Sequence, residues 1–194
     1  TIKYTNMKKA IIPLLCTGIL LSCQDQKTAE DPLVKDASAT TVTTAETKPQ
    51  AVEFADPKYM EMGKEYLRLL SEEKIDEWGE QFAEDAVYQW SSGDSITGKQ
   101  AIISYWKNRL DKTIDKISFS SDIWLPVKVN QPQQGPDLPG VWLMNWEKVD
   151  VTYKNGKRLN FWVHNDFHFN DAGKIDRAVQ YLDRAPINAA VAGK

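Results

Sequence analysis

The sequence contains few of the residues from which many active sites are built. Its 194 residues include two histidines and two cysteines, Cys16 and Cys23, and both cysteines precede the part that is predicted to fold. The predicted domain therefore has no thiol for a disulfide, a metal site or a nucleophile. Gly93 and Gly98 lack the spacing of a phosphate-binding loop. Thiol catalysis, a disulfide scaffold and P-loop nucleotide binding are excluded, and no cofactor is predicted.

The sequence also lacks an excess of basic residues. Lys and Arg number 24 against 27 Asp and Glu, which gives a net charge of −3. Removal of residues 1–22 would delete three lysines and no acid, which leaves 21 basic residues and a net charge of −6. This balance argues against nucleic acid as a partner and against electrostatic capture by an anionic lipid surface.

The first 23 residues have the pattern of an export signal. Met7 is followed by two lysines, and an apolar run over residues 10–21 then leads to Cys23. The run is too short for a permanent membrane span, which needs ~20 apolar residues. The pattern resembles the lipobox of bacterial lipoproteins, and an uncleaved anchor or an ordinary secretory signal is the alternative. The resemblance implies that residues 1–22 are a signal peptide, with 1–6 an extension ahead of the true start. It further implies that acylated Cys23 attaches the protein to a lipid bilayer of the bacterial cell envelope, facing the periplasm or the exterior.

Composition divides the rest of the chain. Residues 23–52 have almost no large apolar side chains, so we expect a disordered tether. Residues 53–187 contain all seven tryptophans and are predicted to form one domain, followed by a disordered tail at 188–194. In the domain, helix signals come first and strand signals follow, which indicates an α+β fold with three N-terminal helices on an antiparallel sheet.

Two groups of residues resemble a known family. The first comprises Asp85–Tyr88, Ser92-Gly93, Gly98–Ile102 and Tyr105-Trp106, and the second comprises Phe167–Phe169, Asp171–Ile175 and Tyr181–Asp183. Together they resemble the SnoaL-like domain of the nuclear transport factor 2-like (NTF2-like) superfamily over residues 56–187. The resemblance implies a strongly curved antiparallel sheet that forms a cone around an internal pocket. It specifies no reaction, because the superfamily includes isomerases, cyclases, hydratases and proteins without catalysis.

The register of one hairpin predicts which side chains face that pocket. We expect a two-residue type I′ turn at Asn155-Gly156, with Lys154 opposite Lys157. Side chains then alternate between the two faces of the sheet. The predicted inward set is Trp142, Met144, Trp146, Phe161, Val163, Asn165, Phe167 and Phe169, and the outward set is Leu143, Asn145, Glu147, Trp162, His164, Asp166 and His168.

The predicted pocket is aromatic and has an amide where a base is expected. Its candidate residues are Trp78, Tyr88, Trp90, Trp106, Trp142, Trp146, Asn165 and Phe167. Enzymes that resemble this domain often place an acidic base on the strand of Asn165, and an amide there orients a ligand or is a satisfied buried group. A shift of one residue would instead turn Asp166 inward. The candidate catalytic residues are therefore Asp166, His164 and Asp150, with Asp183 and Arg177 as further inward candidates.

The predicted outward face suits an interface better than a metal. His164 and His168 are four residues apart on a strand, roughly 13 Å at ~3.3 Å per residue, so both cannot bind one ion. A smaller site of Glu147, His164 and Asp166 is the alternative for a metal, but too few ligands converge there, and no metal is predicted. Related domains commonly dimerise through this face, which makes Glu147, Trp162, His164 and His168 the candidate homodimer interface.

Three functions follow from these patterns. The first is a membrane-anchored module that binds a small apolar or aromatic ligand without catalysis. The second is an enzyme of cyclase, isomerase or hydratase type with an inward Asp or His as general base. The third is an envelope assembly protein that interacts through the outer face of its sheet. The fold alone does not choose among them.

Overall fold

The computed structural model describes residues 50–133 and 138–192. Within them, the chain forms an α+β fold of four helices and one seven-stranded sheet. The predicted signal peptide, the acylation site Cys23 and the tether up to residue 49 lie outside the described residues. Among the helices of the described part, not one combines the length and apolar character that crossing a bilayer requires.

The helices pack their apolar sides against one face of the sheet. They are α1 (Lys58–Ser71), α2 (Ile75–Gly79), α3 (Lys99–Lys112) and α4 (Arg184–Ala192). At the start of α1, Asp56 Oδ1 accepts a hydrogen bond of 2.8 Å from the backbone N–H of Lys58, which satisfies a free donor of the first turn. The buried side of α1 carries Tyr66, Leu67 and Leu70, spaced as one helical stripe.

The sheet is mixed, where a purely antiparallel sheet was predicted. Its strands are β1 (Val52–Phe54), β2 (Phe82–Trp90), β3 (Ser95–Thr97), β4 (Ile114–Val129), β5 (Gly140–Tyr153), β6 (Arg158–Phe169) and β7 (Ile175–Tyr181), in the spatial order β1-β4-β5-β6-β7-β2-β3. Each neighbouring pair is antiparallel except β2 and β7. These two strands are distant in sequence, so no hairpin constrains their relative direction.

The hairpin between β5 and β6 has a three-residue loop, not the predicted two-residue turn. The backbone N–H of Tyr153 bonds to the carbonyl of Lys157 at 2.8 Å, and the N–H of Gly156 bonds to the carbonyl of Tyr153 at 2.8 Å. Gly156 has φ +83°, whereas Asn155 does not have the positive φ that a type I′ turn requires. This loop pairs Asn145 with Asn165, one residue away from the predicted register.

That single-residue difference reverses the predicted faces of β5. Leu143, Asn145 and Glu147 point to the buried side of the sheet and are at most 2% exposed, whereas they were predicted to point outward. Trp142 and Trp146, predicted to point inward, lie on the outer face, because alternate residues of a strand face opposite sides. The predicted faces of β6 are correct: Val163, Asn165, Phe167 and Phe169 are buried on the inner side.

Both predicted ends of the domain differ from the structure. β1 begins at Val52, the last residue of the predicted tether, and pairs with the end of β4. The predicted disordered tail is helix α4 as far as Ala192, and it buries Ile187 and Ala190. Asn155 Nδ2 in the β5–β6 loop donates to the carbonyl of Ala190 at 2.8 Å, which fixes this helix to the hairpin.

An aromatic cluster joins the helices to the inner face of the sheet. The ring of Tyr66 in α1 lies 4.8 Å from the ring of Phe167 in β6 and 5.2 Å from that of Trp78 in α2. Trp78 is fully buried, and its ring lies 4.8 Å from that of Phe82 in β2. Tilted and edge-on contacts of this kind add to the free energy gained by burial. They fix one end of the space between helices and sheet.

The outer long strand, β4, is irregular in the middle. Its pairing with β5 shifts between Ser120 and Ile123, and Ser121 there has φ +57°. Such a bulge bends the strand and increases its local twist. On the far side of β4, β1 covers only the segment Val127–Val129. The bend carries the first half of β4, with Ile117 and Phe119, over the space beneath α1 and α3.

Candidate functional site

A cavity of about 80 Å³ lies between the helices and the inner face of the sheet. A single water needs only ~10–15 Å³ by this measure, so the cavity accommodates a small organic molecule or several waters. Its walls are mainly apolar and aromatic, and they come from α1, β2, α3, β4, β5, β6, β7 and α4. The aromatic lining residues are Tyr66, Trp90, Tyr105, Trp106, Phe119, Tyr153 and Phe161, and the polar or charged ones are Arg109, Glu147, Asn165, Gln180, Arg184 and Asn188.

Glu147 is the one acid among the described residues that line this cavity. Its side chain is 2% exposed and forms no ion pair within the described part of the chain. Both carboxyl oxygens accept hydrogen bonds from amides: Asn165 Nδ2 donates to Oε1 at 2.8 Å, and Asn145 Nδ2 donates to Oε2. Asn165 Nδ2 also donates to Asn145 Oδ1 at 3.1 Å, so the three side chains form one network.

The surroundings of Glu147 favour its neutral form. Burial raises the pKa of the carboxyl from 4.5 to about 7, although the hydrogen bonds from Asn145 and Asn165 act in the opposite direction. The pKa of the nearby Tyr66 hydroxyl is also raised, mainly by burial, with the charges of Tyr88 and Glu147 adding to the effect. A carboxyl with a pKa near 7 is able both to accept and to donate a proton at neutral pH.

The two arginines that line the cavity differ in their partners. Arg184 Nη1 forms an ion pair of 3.1 Å with Asp94 and also bonds to Ser92 Oγ. Arg109 lies over the rings of Tyr105 and Trp106, and its Nη1 donates to the hydroxyl of Tyr105 at 3.2 Å. The cavity wall therefore contains one neutralised guanidinium and one without a carboxylate partner among the described residues.

The predicted pocket residues fall into three groups. Trp90, Trp106 and Asn165 line the cavity. Trp78, Tyr88 and Phe167 are buried in the core but are not part of the cavity wall. Trp142 and Trp146 were predicted in the pocket and lie instead on the opposite face, because of the register of the β5–β6 hairpin.

The predicted catalytic residues do not lie in the cavity. Asp166 and His164 are on the outer face, where His164 Nε2 lies 3.0 Å from Asp166 Oδ1. Asp150 also points away from the cavity and forms an ion pair with Arg158 at 2.9 Å. Asp183, a further candidate, is exposed and accepts a hydrogen bond from the backbone of Ala185 at the start of α4. Arg177 is not in the cavity wall either.

Sequence reasoning placed Glu147 on the wrong face, although a signal for its true position was present. Beyond Glu147, the odd positions of the strand are Val149, Val151 and Tyr153, and the even positions are Lys148, Asp150 and Thr152. The odd set is apolar and the even set polar, which is the alternation of a half-buried strand. Because Glu147 is also at an odd position, the same alternation predicts that its side chain faces inward.

The outer face groups aromatic rings with histidines. His164 is stacked between Trp146, at 4.5 Å, and Tyr181, at 5.4 Å. His168 is packed against Trp142 at 4.9 Å, and its Nδ1 lies 2.6 Å from Asp176 Oδ1. Of the predicted interface residues, Trp162 is 52% exposed, but Glu147 is buried on the other side of the sheet. Within the described residues, no three His, Cys, Asp or Glu side chains are grouped as a metal site requires.

Comparison with known proteins supports the fold. Residues 61–125, about a third of the chain, match the family model of the SnoaL-like domain. No curated protein matches the chain significantly.

Solved structures with a similar fold include three bacterial proteins. A candidate isomerase from Bacillus subtilis is 19% identical, with a TM-score of 0.55 over 71% of this chain and 94% of that one. A candidate polyketide cyclase from Pseudomonas putida KT2440 is 15% identical, with a TM-score of 0.54 over 68% and 96%. An NTF2-like protein of unknown function from Burkholderia pseudomallei K96243 is 13% identical, with a TM-score of 0.54 over 68% and 95%. At these identities the structural likeness shows a shared fold.

Proposed function

We propose that the cavity binds a small, largely apolar carbonyl compound and that Glu147 transfers a proton on it, as in an isomerase or a cyclase. The observation that carries this proposal is a buried carboxyl in the cavity wall, held by two amides and free of any cation within the described residues. The match to the SnoaL-like model and the likeness to a candidate isomerase and a candidate polyketide cyclase support it as analogy.

The chemistry of Glu147 suits proton abstraction next to a carbonyl. In its ionised form the carboxyl takes a proton from the carbon adjacent to the carbonyl, and the electron pair of the broken C–H bond moves toward the carbonyl oxygen. The same carboxyl returns the proton to a different carbon in an isomerisation. A pKa of about 7 makes both steps accessible at neutral pH. Asn145 and Asn165 hold the carboxyl in one orientation through both steps.

Binding without catalysis is the second candidate function, and one observation favours it. Each oxygen of Glu147 already accepts an amide hydrogen bond, so the Asn145–Glu147–Asn165 network is satisfied without a ligand. Buried polar networks of this kind also serve to specify a unique core. In that case the aromatic wall supplies affinity, and Glu147 orients a ligand through a remaining lone pair.

The exchange of carbon-bound hydrogen for deuterium distinguishes the two functions. The protein is incubated in D₂O with a panel of small ketones that includes cyclohexanone and 4-oxopentanoate, and loss of the hydrogens next to the carbonyl is followed by ¹H NMR. We expect exchange to be faster than in buffer and to fall by about 100-fold or more in Glu147→Gln, as removal of a general base does. Asp150→Asn is the matched control, because Asp150 lies on the same strand but outside the cavity.

Two results would count against proton transfer. Exchange at the buffer rate across the panel would contradict it, and so would exchange that Glu147→Gln leaves unchanged. Binding of a panel member without exchange would support the non-catalytic function.

We also propose, from the sequence pattern, that the protein is a lipoprotein anchored to the cell envelope through Cys23. The apolar run ahead of Cys23 and its place before a segment poor in apolar residues support this. Metabolic labelling of the full chain with a radioactive fatty acid tests it: the label should be incorporated in the native chain and absent from Cys23→Ser. Equal labelling of both chains would contradict the proposal.

We propose that the anchored domain associates with a second copy of itself through the outer face of the sheet. The exposed side chains of Ile123, Trp162 and Tyr181 support it, since they place apolar surface on that face. The same face is the one an envelope assembly partner would use. Sedimentation of Trp162→Arg against the native domain tests it, and an unchanged mass would contradict it.

A further inference from the structure

Arg109 is a cation in the wall of the cavity, and it has no counter-charge within the part of the chain that the structure describes. It lies in the last turn of α3, and it forms none of the ion pairs found among the described residues. Arg184 lines the same cavity, but Asp94 already neutralises it at 3.1 Å. Any anionic group that enters the cavity therefore meets one guanidinium that is free to bind it.

The donors of Arg109 are only partly used. The planes of Tyr105 and Trp106 support the guanidinium, with its central carbon 5.7 and 5.8 Å from the two ring centroids. Nη1 donates to the hydroxyl of Tyr105, while Nε is buried and has no hydrogen-bond partner. A guanidinium has five N–H donors in a fixed fork, and a buried donor without a partner costs free energy. A ligand that accepts hydrogen bonds from Arg109 would therefore remove that cost.

We propose that the ligand of this cavity carries a carboxylate and that Arg109 binds that carboxylate and determines the specificity of the site. This inference rests on the proposed function and adds the class of substrate: a small carbonyl compound with one carboxylate. Arg109 and Glu147 line the same cavity, and neither is paired with an opposite charge among the described residues, so a ligand that fills the cavity contacts both groups. One unpaired guanidinium balances the single charge of a carboxylate, whereas a phosphate dianion would leave a second negative charge uncompensated in a largely apolar cavity.

Matched probes test the role of charge. The probes are 4-oxopentanoate and its neutral analogue 4-oxopentanamide, which are close in size and differ in charge. Binding is measured by the change in tryptophan fluorescence, since Trp90 and Trp106 line the cavity, and by saturation-transfer NMR. We expect the amide to bind about tenfold more weakly or worse, as the loss of a charge-assisted hydrogen bond predicts.

Variants of Arg109 test whether this residue causes the preference for the carboxylate over the amide. Arg109→Met keeps most of the aliphatic stem and should abolish the preference for the carboxylate. Arg109→Lys keeps the charge without the fork and should retain part of that preference, which keeps the test valid if the methionine variant does not fold. Arg158→Met is the matched control, because Arg158 is an exposed arginine paired with Asp150 outside the cavity. Thermal unfolding by circular dichroism checks that each variant is folded.

The outcomes separate this inference from the proposed function. Equal binding of acid and amide, carboxylate binding unchanged in Arg109→Met, or no binding of 4-oxopentanoate at millimolar concentration would each overturn the role of Arg109. Proton exchange on the amide as fast as on the acid would also overturn it, while the role of Glu147 would stand. Arg109-dependent binding of the acid without exchange would support the inference and contradict proton transfer.

Discussion

Acidic side chains have different surroundings on the inner and outer faces of the sheet formed by β5, β6 and β7. On the inner face, Glu147 is held by two amides and has no basic partner among the described residues, so burial raises its pKa to about 7. On the outer face, Asp166 and Asp176 each lie within 3.0 Å of a histidine nitrogen. Alternation along the strands therefore decides whether an acid lies beside a histidine on the outer face or is held by amides in an apolar cavity.

The largest expected difference between the faces is in packing. Phe167→Ala on the inner face should lower the free energy of unfolding by about 3–5 kcal/mol, because it removes a buried ring that contacts Tyr66 at 4.8 Å. Trp162→Ala on the outer face of the same strand should lower it by about 1 kcal/mol or less, since that side chain is half exposed. Urea unfolding of both variants measures the two values, and equal losses would contradict the assignment of faces.

The next effect is the pH dependence that Glu147 imposes on stability. Its pKa is about 7 in the folded protein and 4.5 when the carboxyl is unperturbed. Between these values the unfolded chain releases its proton first, so the native protein loses stability as pH rises. The loss should reach about 3 kcal/mol above pH 7. Glu147→Gln should remove it and be more stable than the native chain at pH 8.

Urea unfolding of the native protein and of Glu147→Gln at pH 5, 6, 7 and 8 measures this difference. The comparison between the two chains cancels the titration of other groups. A constant difference in the free energy of unfolding across this range would show that the carboxyl is not shielded from water.

The smallest effect is expected from the matching acid on the outer face. Burial also raises the pKa of Asp166 above 3.8, but the charge of His164 opposes the shift. The sign is therefore the same: the native protein loses stability as pH rises from about 3.8 through the folded pKa of Asp166. Asp166→Asn should change the pH dependence by about 1 kcal/mol or less, as for a partly exposed ion pair. If Asp166→Asn changed the pH dependence of the free energy of unfolding as much as Glu147→Gln does, the two faces would not differ in how strongly they shift the pKa of an acid.

The sequence predicted the class of the fold and one of the two strands of the site. The inner face of β6 was predicted correctly because its apolar residues alternate with polar ones. The face of β5 was predicted wrongly, because Lys154-Asn155-Gly156-Lys157 is compatible with both a two-residue and a three-residue loop. The choice between them depends on the φ of Asn155 and on the contact of its side chain with Ala190, which is distant in sequence.

Helix α4 and the parallel pairing of β2 with β7 were missed for a similar reason. α4 has nine residues, too few to be stable alone, and it forms because Ile187 and Ala190 are buried against the rest of the domain. Pairing of β2 with β7 joins Trp90 to Gln180 across most of the domain. Such long-range contacts have no local signal, and the cavity depends on both of them.

The long, irregular strand β4 has a consequence for aggregation. β4 has 16 residues, and within residues 50–133 and 138–192 only its last three pair with β1 on the side away from β5, so most of that border has no strand partner there. A long, flat and exposed border is a template for pairing between copies. Here the bulge at Ser121 and the proline at position 126 interrupt it, and the charged side chains of Asp115, Lys116 and Asp122 make burial of the border against a second strand unfavourable. These features disfavour edge-to-edge polymerisation of the domain along β4.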